Sequence, residues 1–479
     1  MTSTDKMSGE PASDAVAFEA PVGLIAERDR LRSARELRGE ILELVELYVA
    51  AAEREAPAFT PGRSVVRYAG RVYDEQEVTN LVAASLDFWL TEGRYAARLE
   101  NALCRYLGVG YCRLVNSGSS ANLVAFSTLT SPRLGDRRVC KGDEVITVAA
   151  GFPTTVAPVV QHGAVPVFVD VERSTANVDV SLLEEALSDR TKAVMLAHSL
   201  GNPFDLDAVM SFCRRHNLWL VEDNCDALGS AYTTRLGGEP ETRLTGTFGD
   251  LATSSFYPPH HMTTGEGGAL YTSDEELDTI AASFRDWGRD CYCKSGKDNT
   301  CGIRFEHQLG ELPFGYDHKY TYSHFGYNLK MTDLQAAIGL AQVAKLERFG
   351  AARRANHAYL LAALEPFAGM LDFVRATPGS DPSWFGFLMT VREDAPFERA
   401  DLIAHLEANR VQTRMLFAGN LLRHPCFDEL RERKSGYRVV GELTETDRFM
   451  ERAFWIGVYP GMSETHLAYM VDQVAAFLR

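Results

Sequence analysis

Residues 111–129 read YCRLVNSGSSANLVAFSTL. The first five predict a short strand, the middle a turn of small residues, and SSANLVAFSTL (119–129) an apolar helix. Small residues let backbone N–H groups approach an anion, and a helix N-terminus favours negative charge. One such turn says little, because strand-to-helix turns are often rich in Gly and Ser for steric reasons. Repetition decides the fold. DEVITVA (143–149), VPVFVDV (165–171), KAVMLAH (192–198) and LWLVED (218–223) read as buried strands, with helical stretches such as TTVAPVVQH (154–162) between them. LATSSF (251–256) and GGALYT (267–272) close the set. This alternation predicts an α/β fold with a mainly parallel sheet covered on both faces.

Working outward, residues 24–55 carry helical periodicity, and residues 77–107 give two more helices. The pattern lapses over 289–326, a loop-like stretch rich in Gly, Asp, Tyr and Cys. A loop of that length is usually functional or disordered. Helical spacing returns at 331–349. FGFLMTV (385–391), a helix near 398–408, FWIGVYP (454–460) and a terminal helix then suggest a smaller α+β unit. The expected organisation is a disordered tail over 1–24, a large domain over 25–346 containing the cysteine-rich insertion 289–326, and a small C-terminal domain over 347–479.

Hydrophobic residues make up 46% and charged residues 24% of the 479, the balance of a soluble globular chain. A net charge of −16 argues against nucleic-acid binding. The longest apolar candidate, 146–171, is broken by Gly and Pro, so no membrane span is expected. The first residues lack the basic-then-apolar order of a signal peptide, and a cytoplasmic protein is expected. Nine cysteines, an odd count, argue against a disulfide framework. Cys291, Cys293 and Cys301 crowd into a polar loop where core packing does not explain them.

Three further stretches hold candidate site residues. LVEDNCDALGS (220–230) puts Asp223 at the C-terminal end of a strand, where a carboxylate can keep a pyridinium nitrogen protonated and make the ring an electron sink. A helix cap or a surface acid is the plainer alternative. AAGFPTT (149–155) puts Phe152 in a strand-to-helix turn, to stack on a flat ring or to fill the core. SFYPPHHMTTGEGGAL (255–270) joins a serine to a Gly-rich turn and a new apolar run.

With LGNPFDLDAV and GYNLKMTDLQAAIG, these motifs stand in the order found in the DegT/DnrJ/EryC-type sugar aminotransferases, which the chain resembles over roughly residues 75–479. The resemblance implies the fold-type I, aspartate aminotransferase-like architecture of enzymes that use pyridoxal phosphate (PLP), and a homodimer with sites at the subunit interface. It implies that Gly118, Ser119 and Ser255 hold the cofactor phosphate, that Asn328 reaches the phosphate of the neighbouring subunit, and that Asp223 bonds the ring nitrogen. In that family the fifth residue after the serine is the lysine that holds PLP covalently; here it is His260. Imidazole is not a primary amine, so the implied cofactor is pyridoxamine 5′-phosphate (PMP), held noncovalently, with His260 as base. His261 is a rival for that role. Tyr257 either hydrogen-bonds the cofactor or is a plain buried tyrosine.

The stretch 289–330, together with SFYPPHH, further resembles the NDP-4-keto-6-deoxyhexose 3-dehydrases, PMP-dependent members that contain iron and sulfur. By that resemblance Cys225, Cys291, Cys293 and Cys301, spaced C-x65-C-x-C-x7-C, match the ligands of a [2Fe–2S] cluster. Four thiolates also suit zinc. The implied reaction removes the C3 hydroxyl of a CDP- or dTDP-linked 4-keto-6-deoxysugar. Its electrons come singly from a flavin/iron–sulfur, ferredoxin or flavodoxin reductase. The alternatives are a cluster-free 3-dehydratase that regenerates PMP with glutamate, an ordinary aminotransferase, which His260 disfavours, and a non-catalytic protein of the same fold. Asp223 and Cys225 lie two residues apart, which places a cluster on the order of 10 Å from the ring and requires 289–326 to fold back over that strand end.

Overall fold

The computed structural model describes residues 32–293 and 295–479. The expected tail over 1–24 lies outside the described residues. Helices α1 (Ala34–Glu55), α2 (Glu75–Asp87) and α3 (Arg94–Leu107) precede the first strand. Each of the first two begins at a capping box, Ser33 with Glu36 and Asp74 with Glu77, in which side chain and backbone satisfy each other's free groups. The predicted alternation follows: β1 (Tyr111–Val115), α4 (Gly118–Leu129), β2 (Glu144–Val148), α5 (Pro153–Gln161), β3 (Val165–Val169), α6 (Leu183–Ala186), β4 (Thr191–Ala197), α7 (Leu206–His216) and β5 (Trp219–Asp223). A hairpin, β6 (Ala231–Thr234) and β7 (Glu241–Leu244), leads to β8 (Leu251–Ser255), β9 (Gly268–Thr272) and α8 (Glu275–Arg285).

Eight strands form one sheet in the order β1-β9-β8-β5-β4-β2-β3, with β14 (Arg438–Val439) added at the β3 edge. The pairs from β8 to β14 are parallel, and only β9 runs antiparallel to its two neighbours. The strands read as near-continuous apolar runs because both faces are covered. Val145, Ala193, Met195 and Val221 pack with α4 and α8 on one face, and Ile146, Val194, Leu196 and Leu220 pack with α7 on the other. This confirms the α/β, mainly parallel sheet.

Beyond the sheet come α9 (Asp333–Val343), α10 (Leu346–Leu364), β10 (Leu371–Phe373), β11 (Ser380–Asp381), β12 (Gly386–Val391), α11 (Arg399–Ala408), β13 (Thr413–Arg414), α12 (Asp428–Arg433), α13 (Thr444–Arg452), β15 (Ala453–Gly457) and α14 (Glu464–Leu478). A small antiparallel sheet, β10-β12-β15-β13, carries its own core. The sequence reading missed β14, which sends two residues of the C-terminal third back to the large sheet; two residues show no periodicity to read. It also missed the sheet β11-β6-β7, whose strands have four residues or fewer. Among the described residues, 289–326 contain only one short helical turn, His318–Tyr320. No helix among the described residues is long and apolar enough to cross a membrane.

A buried acid sets the exit of β5. Glu222 is wholly buried and accepts hydrogen bonds from the N–H groups of Gly246 (2.9 Å), Phe248 (2.7 Å) and Gly249 (2.6 Å), with His198 Nε2 at 3.0 Å. Burial alone would raise its pKa; the bonds from His198 and the backbone outweigh burial and hold the carboxyl below its ordinary range. Glu222→Ala, which leaves three N–H groups unpaired, should therefore destabilise the chain by roughly 3–5 kcal/mol at neutral pH in urea unfolding. A depressed acid stabilises above its unfolded pKa, and that contribution is lost as pH falls through the folded value. The gap between wild type and variant should narrow in acid, below about pH 4.

Candidate active site

A cavity of about 480 Å³ opens at the C-terminal ends of the parallel strands, where open α/β sheets place their ligands. Gly118 and Ser119 from the start of α4, Ser255 from the end of β8, Phe152 from the turn before α5, and Asp223, Cys225, Tyr257 and His260 all line it. The fold thus brings eight separate sequence positions to one wall.

One end is built for close approach. Ser117 caps α4 by accepting from the N–H of Ser120. A Cβ placed on Gly118 would lie 2.4 Å from Cβ of Ser255, and one on Gly268 would lie 2.6 Å from the Ser117 carbonyl. Glycine at both positions lets the helix start and the Ser255 hydroxyl converge, as an anion site at a helix N-terminus requires.

The other end is a buried carboxylate. Oδ2 of Asp223 accepts from Nδ2 of Asn122 (2.8 Å) and Oγ1 of Thr155 (2.6 Å), and Oδ1 from the N–H of Cys225 (3.2 Å). Thr253 donates to Oδ1 of Asn122 (2.7 Å), which fixes the amide with its nitrogen toward Asp223. Asp223 is neither a surface acid nor a helix cap. Phe152 is half-exposed and meets Phe417 edge to face, with centroids 5.9 Å apart, so it is not a core residue.

His260 sits in the turn after β8. The buried Arg353 of α10 holds this turn, donating to the carbonyls of Pro259 (3.2 Å), His260 (3.1 Å) and Trp384 (3.2 Å). Burial pushes the imidazole down to about 4, against the opposing charge of Asp223, so the ring is neutral at pH 7. Its Nδ1 has no hydrogen-bond partner and lies 3.5 Å from Oδ1 of Asp226. His261 is buried, its Nε2 lies 2.6 Å from the Ser383 carbonyl oxygen, and it does not line the cavity. Tyr257 is half-exposed at the cavity, not buried.

The sequence reading missed two charged residues of the cavity wall, Asp226 and Arg414, and the arginine that holds the His260 turn. Asp226, three residues after Asp223, lines the wall; burial, then the charge of Asp223, pushes its carboxyl well above the ordinary range, against Arg353. Its place in the NCD turn was the available signal. Arg353 gave none, since it lies 93 residues from His260 in the middle of a helix. Arg414 of β13 lines the cavity with its guanidinium 3.8 Å from the Tyr68 ring centroid.

The cysteines divide. Cys225 lines the cavity, but among the described residues none from 289–326 does. The segment therefore does not fold back over the Asp223 end of its own chain, contrary to the expectation from spacing. Contacts with the rest of the chain hold it elsewhere: His324 lies 2.7 Å from Oγ of Ser131, just past the end of α4, and 2.8 Å from Oγ of Ser283 in α8, and Gly296 lies against the ring of Trp89 just beyond α2. Cys291 and Cys293 are neighbours, the N–H of Cys293 lying 3.4 Å from Sγ of Cys291. Cys301 groups with His307 and His318, their ligand atoms within 4.8 Å of one another. Cys225 is thus set in the cavity wall, and Cys291, Cys293 and Cys301 lie on a segment whose described residues do not reach that wall. Asn328 is exposed and also lies outside its own chain's cavity, where Lys330 donates to it (3.0 Å).

A tight glycine–serine cradle facing a buried strand-end carboxylate fits a cofactor of the PLP type, phosphate at one end and ring nitrogen at the other. The architecture is that of fold-type I PLP enzymes. The chain belongs to the DegT/DnrJ/EryC1/StrS aminotransferase family, whose model matches residues 72–475. It is 52% identical over 445 residues to the lipopolysaccharide biosynthesis protein RfbH of Salmonella typhimurium, covering 93% of this chain and 99% of that one. It is 51% identical over 426 residues to the dTDP-4-dehydro-2,6-dideoxy-D-glucose 3-dehydratase of Saccharopolyspora spinosa, 89% of each chain. The solved structure of E. coli GDP-4-keto-6-deoxy-D-mannose-3-dehydratase with bound hydrated PLP matches with a TM-score of 0.75 at 27% identity, over 85% of this chain and 99% of that one.

Gly118→Ala tests the cradle. The added methyl must push α4 away from Ser255, so affinity for PLP and PMP should fall by roughly 10- to 100-fold, about 1.4–2.7 kcal/mol, in a fluorescence titration of the folded variant.

Proposed function

We propose that this chain is a PMP-dependent 3-dehydratase acting on a nucleotide-linked 4-keto-6-deoxysugar. The observation that carries the reading is His260: a neutral imidazole, unable to hold PLP covalently, stands in the cavity with Asp223 where the family's aminotransferases have lysine. The names of the similar 3-dehydratases support the same reaction class.

When bound, PMP would supply an amine for the substrate's ketone and a ring that accepts an electron pair. Gly118, Ser119 and Ser255 would hold its phosphate, and Asn328 would do so for a neighbouring subunit in a homodimer. Asp223 would keep the ring nitrogen protonated, Phe152 would cover a ring face, and Tyr257 would hydrogen-bond at the rim. His260 would take the proton next to the ring. If Nδ1–H is turned toward Asp226, the lone pair is on Nε2, so Asp226 is a positioning residue for the base. Arg353 would keep the turn from swinging out. Arg414 would face the diphosphate of a CDP- or dTDP-linked sugar. We also take 25–346 and 347–479 as the two domains, and the cytoplasm as the place of action.

Replacing the C3 hydroxyl by hydrogen releases one water and consumes two electrons and two protons. In this reading Cys225, Cys291, Cys293 and Cys301 would hold a [2Fe–2S] cluster, which would supply single electrons drawn from NAD(P)H through a reductase. The separation of these thiols within one chain is the observation that favours a second reading, a cluster-free 3-dehydratase that regenerates PMP with glutamate.

One incubation decides. The chain is held anaerobically with PMP, NAD(P)H, a flavin/iron–sulfur reductase and a CDP- or dTDP-linked 4-keto-6-deoxyhexose. NMR should show the 3-deoxy-4-keto product, one NAD(P)H consumed per turnover and no need for glutamate. Formation only with glutamate would select the second reading, and a 4-amino sugar would contradict both.

A further inference from the structure

The thiols that do not meet within one chain suggest where the fourth ligand comes from. Cys225 is set in the cavity wall two residues from Asp223. Cys291, Cys293 and Cys301 sit on a segment held against its own helices on a different side, beside Trp89. A four-thiolate centre needs both groups. The segment is preorganised: Arg304–Asp317 and His318–Asp290 tie its two arms together, and the N–H of Thr300 lies 3.3 Å from Sγ of Cys293. What it lacks is a fourth thiol. What Cys225 lacks, among the described residues, is a group of ligand atoms around it.

The surface of the segment says what covers it. Phe325 is fully exposed, Phe314 is 73% exposed and Tyr292 62%, three large rings left open to solvent within one segment. The cavity has its own exposed aromatic rim in Phe152 and Tyr257. Two copies of an acidic chain gain by burying such faces against each other.

We propose that the iron–sulfur centre is assembled between two copies of this chain, with Cys225 from one protomer and Cys291, Cys293 and Cys301 from the other. This rests on the [2Fe–2S] reading above and on dimer formation. Each cofactor cavity is then served by a segment of the opposite chain, and a monomer has no complete centre.

The test uses heterodimers made by co-expressing two differently tagged chains, purified through both tags and reconstituted anaerobically with iron and sulfide. The readouts are bound iron, labile sulfide and the EPR signal on reduction. Wild-type dimer should hold about two irons per chain, and Cys225→Ser and Cys301→Ser homodimers none. A heterodimer of Cys225→Ser with Cys301→Ser keeps one unmutated site between chains and should regain half the wild-type iron. A heterodimer of wild type with the double variant Cys225→Ser/Cys301→Ser has no intact site between chains and should hold none. If each chain held its own centre, these two results would be exchanged, and the inference would be overturned. Cys291→Ser replaces Cys301→Ser if the latter does not give soluble dimer. Wild type that binds no iron or sulfide would remove the cluster reading itself. One zinc per chain that survives Cys225→Ser but is lost in His318→Ala would assign the metal to Cys301, His307 and His318, and overturn the inference.

Discussion

The carboxylate of Asp223 is the point from which the site is built. It lies at the end of β5, with both oxygens engaged by donors from three other places in the chain: Asn122 in α4, Thr155 in α5 and the N–H of Cys225. Those bonds hold a buried acid at a fixed depth and require α4 and α5 to meet the strand end in one arrangement. Glu222, on the opposite face, is tied equally firmly by the turn that leads to β8. The pleat therefore separates two tasks. One acid fixes the backbone, and its neighbour faces the cavity.

Around that fixed point the remaining groups are brought in by packing. Glycine at 118 lets α4 start beside Ser255, and Arg353, fully buried in α10, links the His260 turn to the Trp384 carbonyl just before β12. Burial holds the His260 imidazole down to about 4, against the opposing charge of Asp223, and the buried Arg353 guanidinium adds to that depression. The consequence is an imidazole that is neutral at physiological pH, the form in which it could accept a proton. Asp226, pushed toward its neutral form, adds no full negative charge to offset that.

The sheet was legible because each strand of it up to β9 carries its own apolar run, and β1, β2, β4 and β9 are each followed by a helix of nine residues or more. β14, β11 and the β6–β7 hairpin were not, since their positions are fixed by partners distant in sequence. In the site, the motif residues that line the wall were legible only as a set, through the order of their motifs, because each taken singly had a plainer steric or capping use. His260 and His261 were not separable by sequence; the difference is one residue of turn geometry, which points one ring into the cavity and the other at Ser383. Arg353 and Arg414 come from far along the chain and left no local mark. Spacing alone did not place 289–326, because the short separation between Asp223 and Cys225 carries no information about a segment whose position is set by contacts with Ser131, Ser283 and Trp89.

Hydrogen exchange at C4′ of bound PMP, followed by NMR in deuterated buffer with the 4-keto sugar present, tests most directly whether His260 is the base. His260→Asn should bind PMP about as tightly as wild type and exchange about 100-fold or more slowly, while His261→Asn, once shown to fold, exchanges near the wild-type rate. The wild-type rate should be flat between pH 6 and 8, since the ring titrates near 4. Exchange at the wild-type rate in His260→Asn would contradict the account.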